Sequence, residues 1–223
     1  MIDALIFDFD GLILNTEFTE YLSWQEVFLS FGVPFPLEVW QQHIGTTTFD
    51  PIAYLETAVG HPIDRATLEP RRRQRDRELL AQEMIMPGVM DYLQTAHTLG
   101  LPIGLASSSS HHWVDGHLQR LGIAPYFAVV ACRDDVDNCP KPDPAVYHFA
   151  LAQLGVAAKR ALALEDSLNG VRAAKAAGVR VTAVPNNMTD ALDFSLADCR
   201  LSSLADMPLP QLISEVCHAP NEF

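Results

Sequence analysis

Short apolar runs and helical apolar spacings alternate along most of the chain. Ala4-Leu5-Ile6-Phe7-Asp8-Phe9 is a compact run that ends at Asp10-Gly11, the form of a buried strand entering a tight turn. Runs at 102–106 (PIGLA), 127–132 (FAVVAC), 161–164 (ALAL) and 179–184 (VRVTAV) have the same character. Between them, helical spacing over 88–99, 110–121, 144–154 and 168–177 is closed by Gly100, Gly122, Gly155 and Gly178. Glycine takes the left-handed conformation that commonly ends a helix. Strands alternating with helices of this length predict an α/β fold, a Rossmann-like parallel sheet with helices on both faces.

Residues 15–86 break the alternation. Tyr21, Trp24, Phe28 and Phe31 recur at helical spacing, and the stretch reads as four helices with no convincing strand. An all-helical block placed after the first strand predicts an inserted domain over 15–87, with 1–14 and 88–223 forming the core. The hinges fall at Asn15-Thr16 and at Met86-Pro87-Gly88. There is no internal repeat.

Composition narrows the class. With 48% apolar and 19% charged residues in 223, the chain has an ordinary globular composition and is long enough to bury about 70% of its unfolded surface. The formal charge is −13, and residues 1–64 hold ten Asp or Glu and no Lys or Arg. Affinity for nucleic acid or an anionic membrane comes from basic side chains, so neither is an expected partner. No apolar run approaches the roughly 18 residues of a membrane helix, and no basic stretch precedes the first apolar run. A cytoplasmic location is expected. Cys132, Cys139, Cys199 and Cys217 form no C-x-x-C pair, which suits reduced thiols.

In parallel sheets of this kind the site lies beyond the carboxyl ends of the strands. The first strand ends in Asp8-Phe9-Asp10, the second in Ser107-Ser108-Ser109-Ser110, the third leads to Lys141-Pro142, and the fourth ends in Glu165-Asp166. Carboxylates gathered at one edge repel each other unless a cation sits among them, and hard oxygen donors suit Mg²⁺. Carboxylates, a hydroxyl and an ammonium around such an ion are the equipment of phosphoryl transfer, which relies on positioning and charge neutralisation. An Asp can itself attack phosphorus.

The segments Phe7-Asp8-Phe9-Asp10-Gly11-Leu12-Ile13-Leu14-Asn15-Thr16-Glu17, Ser107, Lys141-Pro142 and Glu165-Asp166-Ser167-Leu168-Asn169-Gly170 resemble, in order and spacing, the four motifs of the haloacid dehalogenase-like hydrolase superfamily. The resemblance spans essentially the whole chain. It is closest to the branch with a helical cap after the first motif, which includes β-phosphoglucomutase and small sugar-phosphate phosphatases. It implies that Asp8 is the nucleophile, that Asp10 protonates the leaving oxygen and deprotonates the attacking water, and that Ser107 and Lys141 hold the phosphoryl group. It further implies that Asp8, the Asp10 carbonyl and Asp166 hold Mg²⁺, with Glu165 a further ligand or a neighbour of one. Retaining both Asp8 and Asp10 points to an oxygen-linked phosphate ester.

Within that branch, β-phosphoglucomutases carry a His four residues after the Thr of the first motif and an Arg in a short cap loop after a Gly. Here Glu20 stands four residues after Thr16, and Gly45-Thr46-Thr47-Thr48 has no Arg. Glu20 would repel a second phosphate, so the expected activity is a phosphatase acting on a small phosphate ester, a sugar phosphate by preference, with a mutase as the alternative. A non-catalytic binding protein is the third reading, disfavoured because the reacting residues are all present. Glu20, Thr46 and Thr47 are candidate specificity residues. Ser108 to Ser110 read as loop and cap residues, His111, His112 and His117 as helix surface, and the run Arg71, Arg72, Arg73, Arg75 and Arg77 as a solvated helix face. A monomer is the default expectation.

Overall fold

The computed structural model describes residues 1–41 and 49–218. The chain forms two compact units, one built from Met1–Leu14 with Met84–Phe223 and the other from Asn15–Glu83.

The larger unit begins with β1 (Ala4–Phe7), whose residues are all buried. The chain leaves for the helical unit, made of α1 (Thr16–Ser30), α2 (Leu37–Gln41), α3 (Pro51–Val59) and α4 (Arg65–Gln82). On its return it forms α5 (Val89–Thr98), β2 (Ile103–Ala106), α6 (His111–Arg120), β3 (Val129–Ala131), α7 (Ala145–Leu154), β4 (Ala161–Glu165), α8 (Leu168–Ala176) and β5 (Arg180–Ala183). A two-residue strand β6 (Cys199–Arg200) and the helix α9 (Leu209–His218) complete it.

All six strands are parallel, in the order β3-β2-β1-β4-β5-β6. The α/β reading from the apolar runs is therefore correct, and the four helices expected between residues 15 and 86 are present, with no strand among the described residues of that stretch. Every crossover carries enough chain to return to the same edge, as parallel pairing requires. One face of the sheet is lined by small residues: Ala106, Ala131, Ala163 and Ala183 pack with Tyr147, Ala150, Val171 and Ala174 of α7 and α8. Short side chains let the helices lie close on the strands, which brings the loops at the carboxyl edge near each other.

β1 lies between β2 and β4, and the connections leave it in opposite directions. Such a reversal opens a crevice beyond the strand ends. The backbone beyond β1 is held there: the Asp8 N–H donates to the Leu164 carbonyl at 3.0 Å, and the Gly11 N–H to the Leu14 carbonyl at 2.8 Å. Gly11 has φ +89°, and a Cβ at that position would lie 2.0 Å from Asp166 Oδ2, so glycine is needed for both conformation and space.

The helical unit has its own core. Tyr21, Phe28, Phe35, Trp40, Phe49 and Tyr54 pack as one aromatic cluster, with Phe28 and Phe35 stacked at 4.1 Å. Asp50 caps α3 by accepting from the N–H groups of Ile52 and Ala53. Among the described residues, no helix is long and apolar enough to cross a membrane.

Candidate active site

The sheet order alone predicts which loops meet. Residues following β1 must face those following β2 on one side and β4 on the other, and the side chains found there are Asp8, Asp10, Ser107, Glu165 and Asp166, with Lys141 arriving from the loop before α7. Asp8 is 6% exposed, Lys141 8%, Asp166 2% and Glu165 0%, so four charged groups are removed from water together.

Lys141 is the hub. Its Nζ lies 2.5 Å from Asp8 Oδ1 and 2.5 Å from Glu165 Oε1. The Tyr147 hydroxyl donates to the same Glu165 oxygen at 2.5 Å, and the Lys141 ammonium sits 5.3 Å from the Tyr147 ring centre. Burial works against the charged form of Lys141, but Asp8 and Glu165 outweigh it and hold the ammonium protonated. Burial also lifts Asp8 above the ordinary carboxylate range; Lys141 opposes this, while Glu165 and Asp10 add to it. Tyr147 is fully buried and stays a phenol, pushed well above its ordinary value by burial and by Glu165.

One ammonium among three buried carboxylates leaves a deficit of positive charge. Ligand oxygens of Asp8, Glu165 and Asp166 lie within 4.8 Å of one another, an all-oxygen donor set that fits a hard divalent cation. Asp166 is fixed by Asn186, whose Nδ2 donates to Asp166 Oδ2 and to the Gly11 carbonyl, both at 2.9 Å. The Asn186 amide is itself oriented, since its Oδ1 accepts from the Met188 N–H at 2.8 Å.

Asp10 is held differently. Its Oδ2 accepts from the Ser109 hydroxyl at 2.6 Å and from Ser107 at 3.4 Å, and its Oδ1 accepts from Trp113 Nε1 at 2.9 Å. The Ser107 hydroxyl also accepts from the Ser109 N–H at 2.9 Å, and the Ser108 hydroxyl from the Lys141 N–H at 3.0 Å. The serine run is thus more than loop and cap: the Ser110 side chain makes no cap bond, while Ser108 and Ser109 touch the cluster. The cause is strand order, because the β2 loop borders the β1 loop directly.

The remaining candidates lie elsewhere. Glu20 is in α1 of the helical unit, and Thr46 and Thr47 fall outside the described residues. The arginine run divides. Arg71, Arg73 and Arg77 are exposed, and Arg75 forks onto Glu26 with two bonds of 2.8 Å. Arg72 departs from the solvated-face reading, with a side chain only 10% exposed. Its guanidinium lies 4.9 Å from the Trp24 ring centre and 3.6 Å from both Glu20 and Asp76.

Sequence alone offers no role for Trp113, Tyr147 and Asn186, and reads Ser109 as loop or cap. A Tyr or Trp withdrawn from water must place its O–H or N–H, so Tyr147, at helical spacing with Ala150 and Leu151, and Trp113 in the first turn of α6 were available signals. Asn186 follows the fifth strand, whose carboxyl end carries no motif residue.

Known proteins resemble the chain along nearly its whole length. The chain is 46% identical over 217 residues, 97% of its length and 98% of the relative's, to a Bacillus subtilis (strain 168) protein named "Putative phosphatase YhcW". It is 28% identical, over 84% of its length and 88% of the relative's, to the Thermotoga maritima phosphorylated carbohydrates phosphatase. Among solved structures, a mutant of CbbY from Rhodobacter sphaeroides in complex with xylulose-(1,5)-bisphosphate superposes with a TM-score of 0.70 at 30% identity, covering 92% of this chain and 96% of that one. Residues 5–184 match the family model of the haloacid dehalogenase-like hydrolases, and the chain belongs to that family.

Proposed function

We propose that this protein is a Mg²⁺-dependent phosphatase that hydrolyses a small, hydroxyl-rich phosphate monoester, with a sugar phosphate as the substrate class, through an aspartyl-phosphate on Asp8. The observation that carries the reading is Lys141 Nζ, buried and 2.5 Å from both Asp8 and Glu165. A cation fixed against the nucleophile offsets the repulsion between a carboxylate and an approaching phosphate dianion. The names of the relatives, phosphatases of phosphorylated carbohydrates among them, support the substrate class.

Asp8 attacks phosphorus, the ester P–O bond breaks, and Asp10 gives its proton to the departing oxygen. Asp10, now ionised, takes a proton from water, which attacks the aspartyl-phosphate, releasing phosphate and restoring Asp8. Ser107 and Lys141 hold the phosphoryl oxygens. Asp8, the Asp10 carbonyl and Asp166 would hold the metal, whereas Glu165 Oε1 is committed to Lys141 and Tyr147. When bound, the ion supplies charge neutralisation for the transferring group. The helical unit is inserted in the chain where this branch carries its cap, and we assign it the specificity role.

The test incubates wild type and Asp8→Asn with Mg²⁺ and a panel of phosphometabolites, following free phosphate and isomer interconversion separately. Phosphate release that disappears in Asp8→Asn is the expected result. Interconversion without release would show a mutase, and release undiminished in Asp8→Asn would remove Asp8 from the chemistry.

A further inference from the structure

The three histidines of the α6 region are not used by the mechanism, yet one of them completes a closed chain of contacts around Asp10. Phe9, fully buried and adjacent to Asp10 in sequence, stacks on the His117 ring with centroids 6.0 Å apart. His117 meets Trp113 edge to face at 4.6 Å, and Trp113 Nε1 returns to Asp10 Oδ1 at 2.9 Å. The His117 Nδ1 accepts from Arg120 Nε at 3.4 Å, and burial, then Arg120, hold its pKa below the ordinary histidine value. The imidazole is therefore a neutral packing surface. Two neighbouring residues of the β1 loop, Phe9 and Asp10, are in this way gripped by one face of α6.

We infer that Trp113 is a positioning residue for Asp10, fixing the carboxylate that protonates the leaving oxygen; the inference rests on the acid–base role proposed for Asp10 above. An Asp side chain rotates about two bonds, and a catalytic acid must stand within hydrogen-bond reach of the atom it protonates. Small misplacements are expensive, on the order of 100-fold for about 1 Å. Ser109 and Ser107 restrain Oδ2, but a hydroxyl turns freely and can itself donate or accept. The indole is rigid, and its nitrogen only donates, so it restrains Oδ1 without competing for the proton that Asp10 must pass on. The site thereby divides its labour: Lys141, Tyr147 and Asn186 hold the nucleophile and metal carboxylates, and α6 holds the acid.

Leaving-group chemistry separates this role from a structural one. Benzyl phosphate departs as an alkoxide that needs a proton, whereas p-nitrophenyl phosphate departs as a stable phenolate that does not. Because kcat/KM reports steps up to phosphoenzyme formation, the ratio of kcat/KM for p-nitrophenyl phosphate to that for benzyl phosphate isolates the acid. Trp113→Phe keeps a ring against His117 and removes the N–H. General acid–base catalysis contributes about 10²- to 10⁴-fold, so partial loss of aim should raise the ratio about 10- to 100-fold. Ser109→Ala, which keeps the indole, should raise it as well. A fall of equal size on both substrates, leaving the ratio within about 2-fold, would show that Trp113 only packs. Asp10→Asn measured alongside separates the two claims. If Asp10→Asn shifts the ratio and Trp113→Phe does not, the positioning role is lost alone; if Asp10→Asn does not shift it either, the acid role falls with it.

Discussion

Replacing Gly170 with alanine sets two effects of opposite sign against each other at one position. Gly170 lies in the first turn of α8, where alanine is worth up to about 1 kcal/mol in helix propensity. A Cβ there would lie 1.7 Å from Glu165 Oε2 and 2.0 Å from Glu165 Cδ. Ordinary contact between such atoms is about 3.5–4.0 Å, so the carboxyl would have to withdraw by about 2 Å. It has nowhere cheap to go, since Oε1 is tied at 2.5 Å to both Lys141 Nζ and the Tyr147 hydroxyl. Separating one partner of a buried pair costs about 3–5 kcal/mol. After the helix gain, the net loss is about 2–4 kcal/mol.

For a chain of this length that corresponds to a fall in thermal midpoint of about 5–15 °C. Gly116, in the middle of α6, is the matched control, because a Cβ there meets nothing within 4 Å. Gly116→Ala should raise the midpoint by about 2–4 °C. Both variants can be followed by circular dichroism in a thermal scan. A midpoint for Gly170→Ala that rises like that of Gly116→Ala would refute the claim that Glu165 is locked in place.

Tyr147→Phe removes one charge-assisted bond from a fully buried carboxylate with almost no change of shape, and should lower stability by about 1.5–3 kcal/mol in urea titration. Adding Mg²⁺ at about 100 times its dissociation constant to chelator-stripped protein should stabilise it by about 2.7 kcal/mol, a gain in thermal midpoint that Asp166→Asn loses whether or not a substrate is known. The His111 ring sits between Asp135 at 2.8 Å and Asp115 at 3.3 Å, its backbone N–H donates to Asp134, and although burial opposes the charged form, Asp135 and Asp115 raise its pKa above 6.5. A raised folded pKa stabilises fully below the unfolded value and fades as pH climbs through the folded one, so the midpoint advantage of wild type over His111→Gln should be fullest below about pH 6.5 and shrink as pH rises above it; an advantage that grows with pH would contradict the pairing.

The strands that carry chemistry were legible because each is a short apolar run that stops at a polar residue, and a parallel sheet buried on both faces demands that form. Cys199–Arg200 has no pattern to read, because two residues at a sheet edge bury almost nothing. α9 was readable: Leu209, Leu212 and Val216 repeat at helical spacing and are all buried, but among the described residues no strand follows to complete another βα unit. At the site, residues in the four motifs could be placed because chain order and sheet order together fix which strand ends are neighbours. Ser109, Trp113, Tyr147 and Asn186 were missed for a common reason. Each acts on a motif residue distant in sequence, from 18 positions for Tyr147 and Glu165 to 103 for Trp113 and Asp10, and only the folded register brings such pairs within bonding distance.

The helical unit adds a second charge balance to the one at the sheet edge. Glu20 entered the sequence argument as a carboxylate standing where a mutase would offer a cation to a second phosphate. Arg72 beside it could reverse that reading, but its guanidinium faces two carboxylates, Glu20 and Asp76, each 3.6 Å away, while its plane lies near Trp24. A nearly buried arginine needs such partners, because burying an unpaired charge is prohibitive. Arg72 is thus engaged in holding α1 to α4, with a further bond of 3.2 Å to Ser23, and the three charged groups sum to −1. A phosphate drawn to Arg72 would have to displace Glu20 or Asp76 and part that carboxylate from the guanidinium. Local charge within the helical unit therefore still opposes a phosphate at Glu20.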